Sequence, residues 1–282
     1  MLATGVIQLP AREAAIDVEK VVAYIERCQT ADGGFFFARV PPAGAADTYH
    51  AVAALRILGR KPARTLAVCA WLRRAAVALL PGHPRTVFHL TQAGLALGMN
   101  RSLLRRWAAA LGGWENERGG FGAWRNLYVE VPSELETTYY AVITGLDLGL
   151  EVNRDKVSRF VLSFQNSDGG FGGGGHSTLA STYYAVWILT RLGLESYQLQ
   201  VAADWLGERA SARAFNYLEE LYWLTGGLEA VGSPIVDRER TASFVLACQR
   251  SSGGFSRAPV GIATLEYTHY ALEILRGMGS LP

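Results

Sequence analysis

Gln29-Thr-Ala-Asp-Gly33-Gly34-Phe35, followed by Thr48-Tyr-His-Ala-Val52, is the stretch on which the reading of this chain turns. The same two phrases return later. Gln165-Asn-Ser-Asp-Gly169-Gly170-Phe171 precedes Thr182-Tyr-Tyr-Ala-Val186, and Gln249-Arg-Ser-Ser-Gly253-Gly254-Phe255 precedes Thr268-His-Tyr-Ala-Leu272. A looser copy, Glu115-Asn-Glu-Arg-Gly119-Gly120-Phe121, precedes Thr138-Tyr-Tyr-Ala-Val142. The leading threonines stand at 48, 138, 182 and 268, so the steps are 90, 44 and 86. One step is a single repeat; the others are double steps, each hiding a degenerate unit. Six units result, at about 18–60, 62–99, 101–150, 153–194, 197–231 and 235–280.

Each unit reads as two helices. Before the first phrase, apolar residues recur with helical period: Val21, Tyr24, Ile25 and Cys28; Val157, Phe160, Val161 and Phe164; Phe244, Val245 and Cys248. That is a one-sided amphipathic helix. After the second phrase, as in Tyr183-Tyr-Ala-Val-Trp-Ile-Leu-Thr-Arg-Leu192, the helix is apolar nearly all round and must be buried on most of its surface. The glycine pair stops the first helix, and Asp, Ser or Thr caps the second. Six half-buried and six buried helices predict a ring of two concentric layers rather than an open solenoid. An open solenoid needs polar capping repeats, whereas here the first and last units carry the strongest phrases. The predicted fold class is all-α, a single α/α toroid over 1–282, with inner helices 48–58, 85–98, 138–149, 182–193, 214–225 and 268–278.

Composition narrows the function. Of the 282 residues, 50% are hydrophobic and 18% charged, which fits a large buried core. With 27 basic against 25 acidic residues the balance is +2, too small for a nucleic-acid footprint. Cys28, Cys69 and Cys248 form no C-x-x-C pair and are odd in number, so reduced thiols in the cytoplasm are expected. No apolar run reaches membrane-spanning length, and the first residues lack the pattern of a secretory signal.

The phrase Q-x-x-D/S-G-G-F followed by a T-Y-x-A-V helix resembles the prenyltransferase and squalene-cyclase repeat. That repeat builds protein prenyltransferase β subunits and the β domain of class II terpene cyclases. The resemblance covers residues 18–280. It implies a transferase or cyclase, an isoprenoid or other long apolar ligand in a central cavity, and chemistry near the N-termini of the inner helices. Helix N-termini independently suit an anion there. The residues opening the inner helices include Asp47 and His50; His83, Arg85 and Thr86; Glu134, Glu136 and Thr137; His176 and Thr178; Arg213 and Asn216; Glu266, Tyr267 and His269. Of these and the tyrosines beside them, His50, Tyr139, His176, Tyr183, Tyr267 and His269 are the ligand-binding candidates.

Family activities can be tested against these residues. Zinc-dependent protein prenylation uses an Asp-x-Cys pair opening the fifth inner helix and a His opening the sixth. Here the fifth unit reads Arg213-Ala-Phe-Asn-Tyr-Leu-Glu219-Glu220 without cysteine, and Tyr267 takes the histidine position. No zinc is therefore expected, and magnesium only alongside a bound diphosphate. The α subunit of such enzymes is not on this chain, which leaves a protein partner open.

Class II cyclisation uses Asp-x-Asp-Asp-Thr, with the middle acid as proton donor. Glu134-Leu-Glu136-Thr137-Thr138 places Glu134 and Glu136 on the first two acids. Two carboxyls at i and i+2 that share one proton would make Glu136 the donor. Helix capping is the structural alternative for the pair, and Asp47 is the remaining aligned acid, read as an N-cap. The thioester segment Gly-Cys-Gly-Glu-Gln of complement-type toroids is absent. The long loop Gly122-Ala-Trp124-Arg125-Asn-Leu-Tyr128 offers Trp124, Arg125 and Tyr128 as a flap over an apolar ligand with an anionic head. The Gly172–Gly175 run before His176 reads as a mobile loop or an anion nest. Two readings stay open: an isoprenoid-processing enzyme, and a non-catalytic binding or partner module on the same fold.

Overall fold

The computed structural model describes residues 16–80, 82–122, 131–194, 197–212, 215–235 and 237–281. Among them are twelve α-helices in alternating roles and no β-strand beyond isolated bridges. The outer helices are α1 (Val18–Arg27), α3 (Thr65–Leu79), α5 (Arg101–Ala108), α7 (Arg154–Leu162), α9 (Tyr197–Ser211) and α11 (Arg238–Ala247). The inner helices are α2 (Ala45–Ile57), α4 (Pro84–Ala96), α6 (Val131–Leu148), α8 (Leu179–Arg191), α10 (Leu218–Ala230) and α12 (Leu265–Gly277).

Local chemistry explains the boundaries. Four outer helices are capped by Asp or Asn: Asp17, Asn100, Asn153 and Asp237 each accept from the backbone N–H three residues on. Thr178 and Thr264 do the same for α8 and α12. Pro84 opens α4, where its missing N–H costs nothing.

The inner helices pack in the order α2, α4, α6, α8, α10, α12, and α12 returns to α2. The ring is closed, as the repeat predicts. The Gly-Gly-Phe phrase makes each joint. Its first glycine has φ of +102°, +100°, +93° and +97° at positions 33, 119, 169 and 253, a region open to glycine and costly for other residues. A Cβ there would also lie 2.2–2.7 Å from a backbone oxygen of the next outer helix: Ala67, Lys156, Val201 or Lys20. The second glycine faces the ring one turn later, Trp71, Phe160, Trp205 or Tyr24. In the last of these joints unit six packs onto α1 of unit one, which closes the circle.

The two phrases are then bolted together. The amides of Phe35, Phe121, Phe171 and Phe255 donate to Oγ1 of Thr48, Thr138, Thr182 and Thr268 at 2.9–3.1 Å. All four threonines are fully buried. The degenerate units lack both halves of this bolt: Val87 and Leu221 stand four residues after the caps of α4 and α10, where the others carry threonine.

Four inner helices start one to three residues earlier than expected, and two differ by four residues or more. The fifth begins at Leu218 rather than 214, because Glu220 folds back onto the amides of Asn216 (2.6 Å) and Tyr217 (3.3 Å) and starts the helix after them. Asn216 therefore does not open it. The third begins at Val131, earlier than 138, so Glu136 sits inside the helix rather than at its opening.

Candidate functional site

The two residues that follow the threonine position point to the axis of the ring in five units, and in the fifth unit only the first does. They are Tyr49 and His50; Phe88 and His89; Tyr139 and Tyr140; Tyr183 and Tyr184; Tyr222; and His269 and Tyr270. Six helices at one register thus deliver one disc of rings across the centre. Tyr222 stacks on Tyr270 at 4.1 Å and Tyr49 on His89 at 5.1 Å, and most other contacts are edge-on or tilted. Only about 30 Å³ stays open within the disc. Burial pushes the tyrosine hydroxyls up, that of Tyr139 to about 12. It pushes the His89 imidazole down to about 3, with Arg85 and His269 adding to the effect. His50 falls well below its usual value through burial and the neighbouring His269, His89 and Arg85.

On the N-terminal side of the disc lies a charged belt. Arg85 of α4 reaches Glu136 of α6 at 3.9 Å and Glu266 of α12 at 3.7 Å. Its guanidinium lies 5.9 Å from the centre of the Tyr140 ring. Glu136 Oε1 accepts from the hydroxyls of Tyr140 (3.1 Å) and Tyr184 (3.2 Å). Glu266 Oε1 accepts from Tyr270 at 3.0 Å. The belt ties charges to the tyrosines beneath it through i, i+4 spacing on α6 and α12.

On the other side, toward the C-terminal halves of the inner helices, a chamber of about 200 Å³ opens. The disc is its floor. Gln92, Ile143, Trp187 and Thr225 form walls, and Arg191, Glu229, Glu273 and Arg276 are at its rim. The charges are paired: Arg191 with Asp147 at 2.6 Å, and Arg276 with Glu273 at 2.7 Å and Glu229 at 3.1 Å. Burial alone would raise the Glu273 carboxyl, but His269 and Arg276 bring it down to about 2.

Against this geometry the candidates separate. Tyr139, Tyr183 and His269 line the chamber, and His50 lies in the disc that floors it. Glu136 lines neither cavity. Glu134 is buried beside Gly122, in the field of Arg118, and burial raises its carboxyl. Residues two apart on a helix face different ways, so the expected proton-sharing pair is not formed. Asp47 is not the N-cap of α2, which is Gly44; it sits in the first turn away from both cavities, its carboxyl raised to about 6 by burial and by Glu266. Tyr267 is half-buried, off the axis, and His176 is an exposed loop residue. Trp124, Arg125 and Tyr128 lie outside the described residues. Cavity residues the sequence reading did not single out include Phe88, Glu273 and Arg276. The spacing His269–Glu273 on a helix already signalled a shared face.

The model of the prenyltransferase alpha-alpha toroid domain matches residues 1–82, 77–213 and 196–280. The chain belongs to this family. It is 23% identical over 189 residues to the geranylgeranyl transferase type-1 subunit beta of Arabidopsis thaliana, covering 57% of this chain and 50% of that one. It thus spans about half the length of that relative. Its fold is similar to Candida albicans protein geranylgeranyltransferase-I complexed with GGPP (TM-score 0.73, 15% identity, 94% of this chain and 92% of that chain). It is also similar to a protein from Actinoplanes (TM-score 0.59, 16% identity, 93% and 98%). No helix among the described residues is long and apolar enough to cross a membrane.

The residues at the position of the family's zinc ligands do not fit that ion. The first turn of α10 offers Glu219, held by Arg257 at 2.6 Å, with no cysteine, and α12 offers Tyr267. Among the described residues no group of three or more His, Cys, Asp or Glu is placed to hold a metal.

Proposed function

We propose that this family member binds a short, neutral isoprenoid-like molecule in the chamber at the C-terminal ends of its inner helices. The observation that carries the reading is the chamber itself: about 200 Å³, floored by aromatic rings and rimmed by charges that balance. An apolar cavity of roughly 150 Å³ takes one benzene, so about five to ten carbons fit above the disc. A twenty-carbon chain does not fit unless the tyrosines leave the axis. This narrows the long polyprenyl ligand expected from the sequence. The paired rim favours a hydroxyl head over a diphosphate, which would face Glu229 and Glu273. Neither zinc nor magnesium enters this reading. A cyclase acid at Glu136 is not part of it either, since that residue lines neither cavity and its Oε1 serves as an acceptor for two tyrosines.

Calorimetric titration with prenol, geraniol, farnesol and geranylgeranyl diphosphate tests it. One prenol or geraniol per chain, with a negative heat-capacity change, is expected. Binding should weaken about tenfold or more when Ile143→Trp fills the chamber. Stoichiometric geranylgeranyl diphosphate binding, with no binding of the short alcohols, overturns the short-ligand reading. Failure of the whole series favours the non-catalytic partner module.

A further inference from the structure

Four side chains of α2 and α12 cross the aromatic disc in a line from one face to the other. Glu266 Oε1 in the charged belt lies 3.8 Å from His50 Nε2. His50 Nδ1 lies 3.0 Å from His269 Nδ1. His269 Nε2 lies 3.5 Å from Glu273 Oε1, at the rim of the chamber. Both histidines are buried, at 4% and 3% exposure. We propose that Glu266, His50, His269 and Glu273 form a proton relay through the centre of the toroid, linking the N-terminal face to the chamber. The proposal goes beyond ligand binding and holds whatever molecule the chamber takes.

The tautomers follow from the contacts. Two Nδ1 atoms 3.0 Å apart share one proton, so one ring donates and the other accepts. Glu273 faces His269 Nε2 and accepts its proton, which leaves His269 Nδ1 as the acceptor and His50 Nδ1 as the donor. His50 Nε2 is then a bare lone pair, and it is the ring nitrogen buried without a hydrogen-bond partner. A buried unpartnered acceptor is costly, and this one faces the carboxyl that can bring it a proton. Glu266 is in the first turn of α12, and its side chain is 36% exposed. Transfer across the 3.8 Å gap requires this carboxyl, held by the Tyr270 hydroxyl at 3.0 Å, to shift toward His50.

One passage balances as follows. A solvent proton on Glu266 moves to His50 Nε2. His50 Nδ1 releases its proton to His269 Nδ1, and His269 Nε2 releases its own to Glu273. One proton has crossed, and both imidazoles have exchanged tautomers; the reverse passage restores them. The charged and titratable groups around the path include Arg85 and His89 from α4, Asp47 and Tyr49 from α2, Tyr267, Tyr270 and Arg276 from α12, and Glu229 from α10. Tyr222 from α10 stacks on Tyr270. The two cations discourage a resting proton on the path, which suits passage rather than storage.

Nitrogen-15 NMR of the ligand-free protein tests the relay separately from any ligand titration. In the wild type, a coupling across the Nδ1–H···Nδ1 bond is expected, with His50 protonated at Nδ1 and His269 at Nε2. In Glu273→Leu both rings are expected to exchange tautomers, His50 then donating from Nε2 to Glu266. The bridging proton is expected to exchange with water at least tenfold more slowly in Glu266→Gln/Glu273→Gln than in the wild type. Absence of the coupling, or tautomers and exchange unchanged in the variants, overturns the relay. If the double variant does not fold, the coupling and the single-variant tautomers decide it.

Discussion

Four units of the ring are bolted and two are not. In units one, three, four and six, a buried threonine on the inner helix holds the amide of a phenylalanine, and a glycine pair lets the next outer helix close in. Units two and five replace the threonine by Val87 and Leu221 and have no Gly-Gly-Phe phrase. Both kinds nevertheless place an inner helix at the same register, because neighbouring helices on either side fix it. The repeated phrase therefore serves the joints between helices. The axis draws on bolted and unbolted units alike: Phe88, His89 and Arg85 come from unit two and Tyr222 from unit five.

A substitution at the closing joint should cost the ring most. Gly253→Ala combines a φ of +97° with a Cβ 2.2 Å from the Lys20 carbonyl oxygen. We expect a loss of about 3 kcal/mol or more, roughly 6–12 °C in melting temperature. Gly98→Ala, at φ +73° with open space around it, should cost only ~1 kcal/mol. Equal melting temperatures for the two would show that the joint carries no special strain.

Acid should act at the axis rather than at the bolts, whose threonine hydroxyls and amides do not titrate. His50 and His89 have folded values below their unfolded ones. The unfolded chain therefore binds more protons below about 6.5, and stability falls as pH drops through that value. Glu273, lowered to about 2, adds a loss of the same sign below about 4.5. Between pH 6 and 4 a decline of about 1 kcal/mol per pH unit is expected from His89, and His50 adds a loss in the same direction. His89→Phe should flatten the curve by that amount in denaturant titrations; an unchanged slope contradicts the assignment.

A smaller effect separates bolted from unbolted helices directly. Thr182→Val keeps the shape but leaves the buried Phe171 amide without its acceptor, at a cost of about 1–3 kcal/mol. Leu221→Thr, in a unit with no amide to receive, should bring no gain. Chemical denaturation of the pair that shows equal losses would remove the distinction between the units.

The smallest effect concerns Asp47, in a bolted unit beside the belt. Its folded value of about 6 exceeds the unfolded one, so its ionised form opposes folding at neutral pH. After allowance for its partial exposure, Asp47→Asn should stabilise by ~0.5–1 kcal/mol at pH 7. The gain should shrink toward pH 4, where the folded carboxyl is already protonated. A melting temperature that does not rise at pH 7 contradicts it.

Sequence reasoning alone reached the repeat and the alternation of half-buried and buried helices, because both are written in local periodicity, and ring closure, because the first and last units carry full phrases instead of polar caps. Thr48, Thr138, Thr182 and Thr268 are visible as a spacing, and glycine pairs announce their turns. Even the tyrosines and histidines of the axis were legible as types and register. Three things needed the tertiary structure. Whether those rings leave a cavity or fill it depends on how six helices from distant sequence positions meet, and they fill the disc and leave a chamber on the C-terminal side. The separate surroundings of Glu134 and Glu136 depend on where α6 begins and which neighbours it meets. The line from Glu266 to Glu273 through His50 joins residues 219 positions apart across the closing seam. Local pattern encodes which face of a helix is buried; only packing decides which side chains then share one volume.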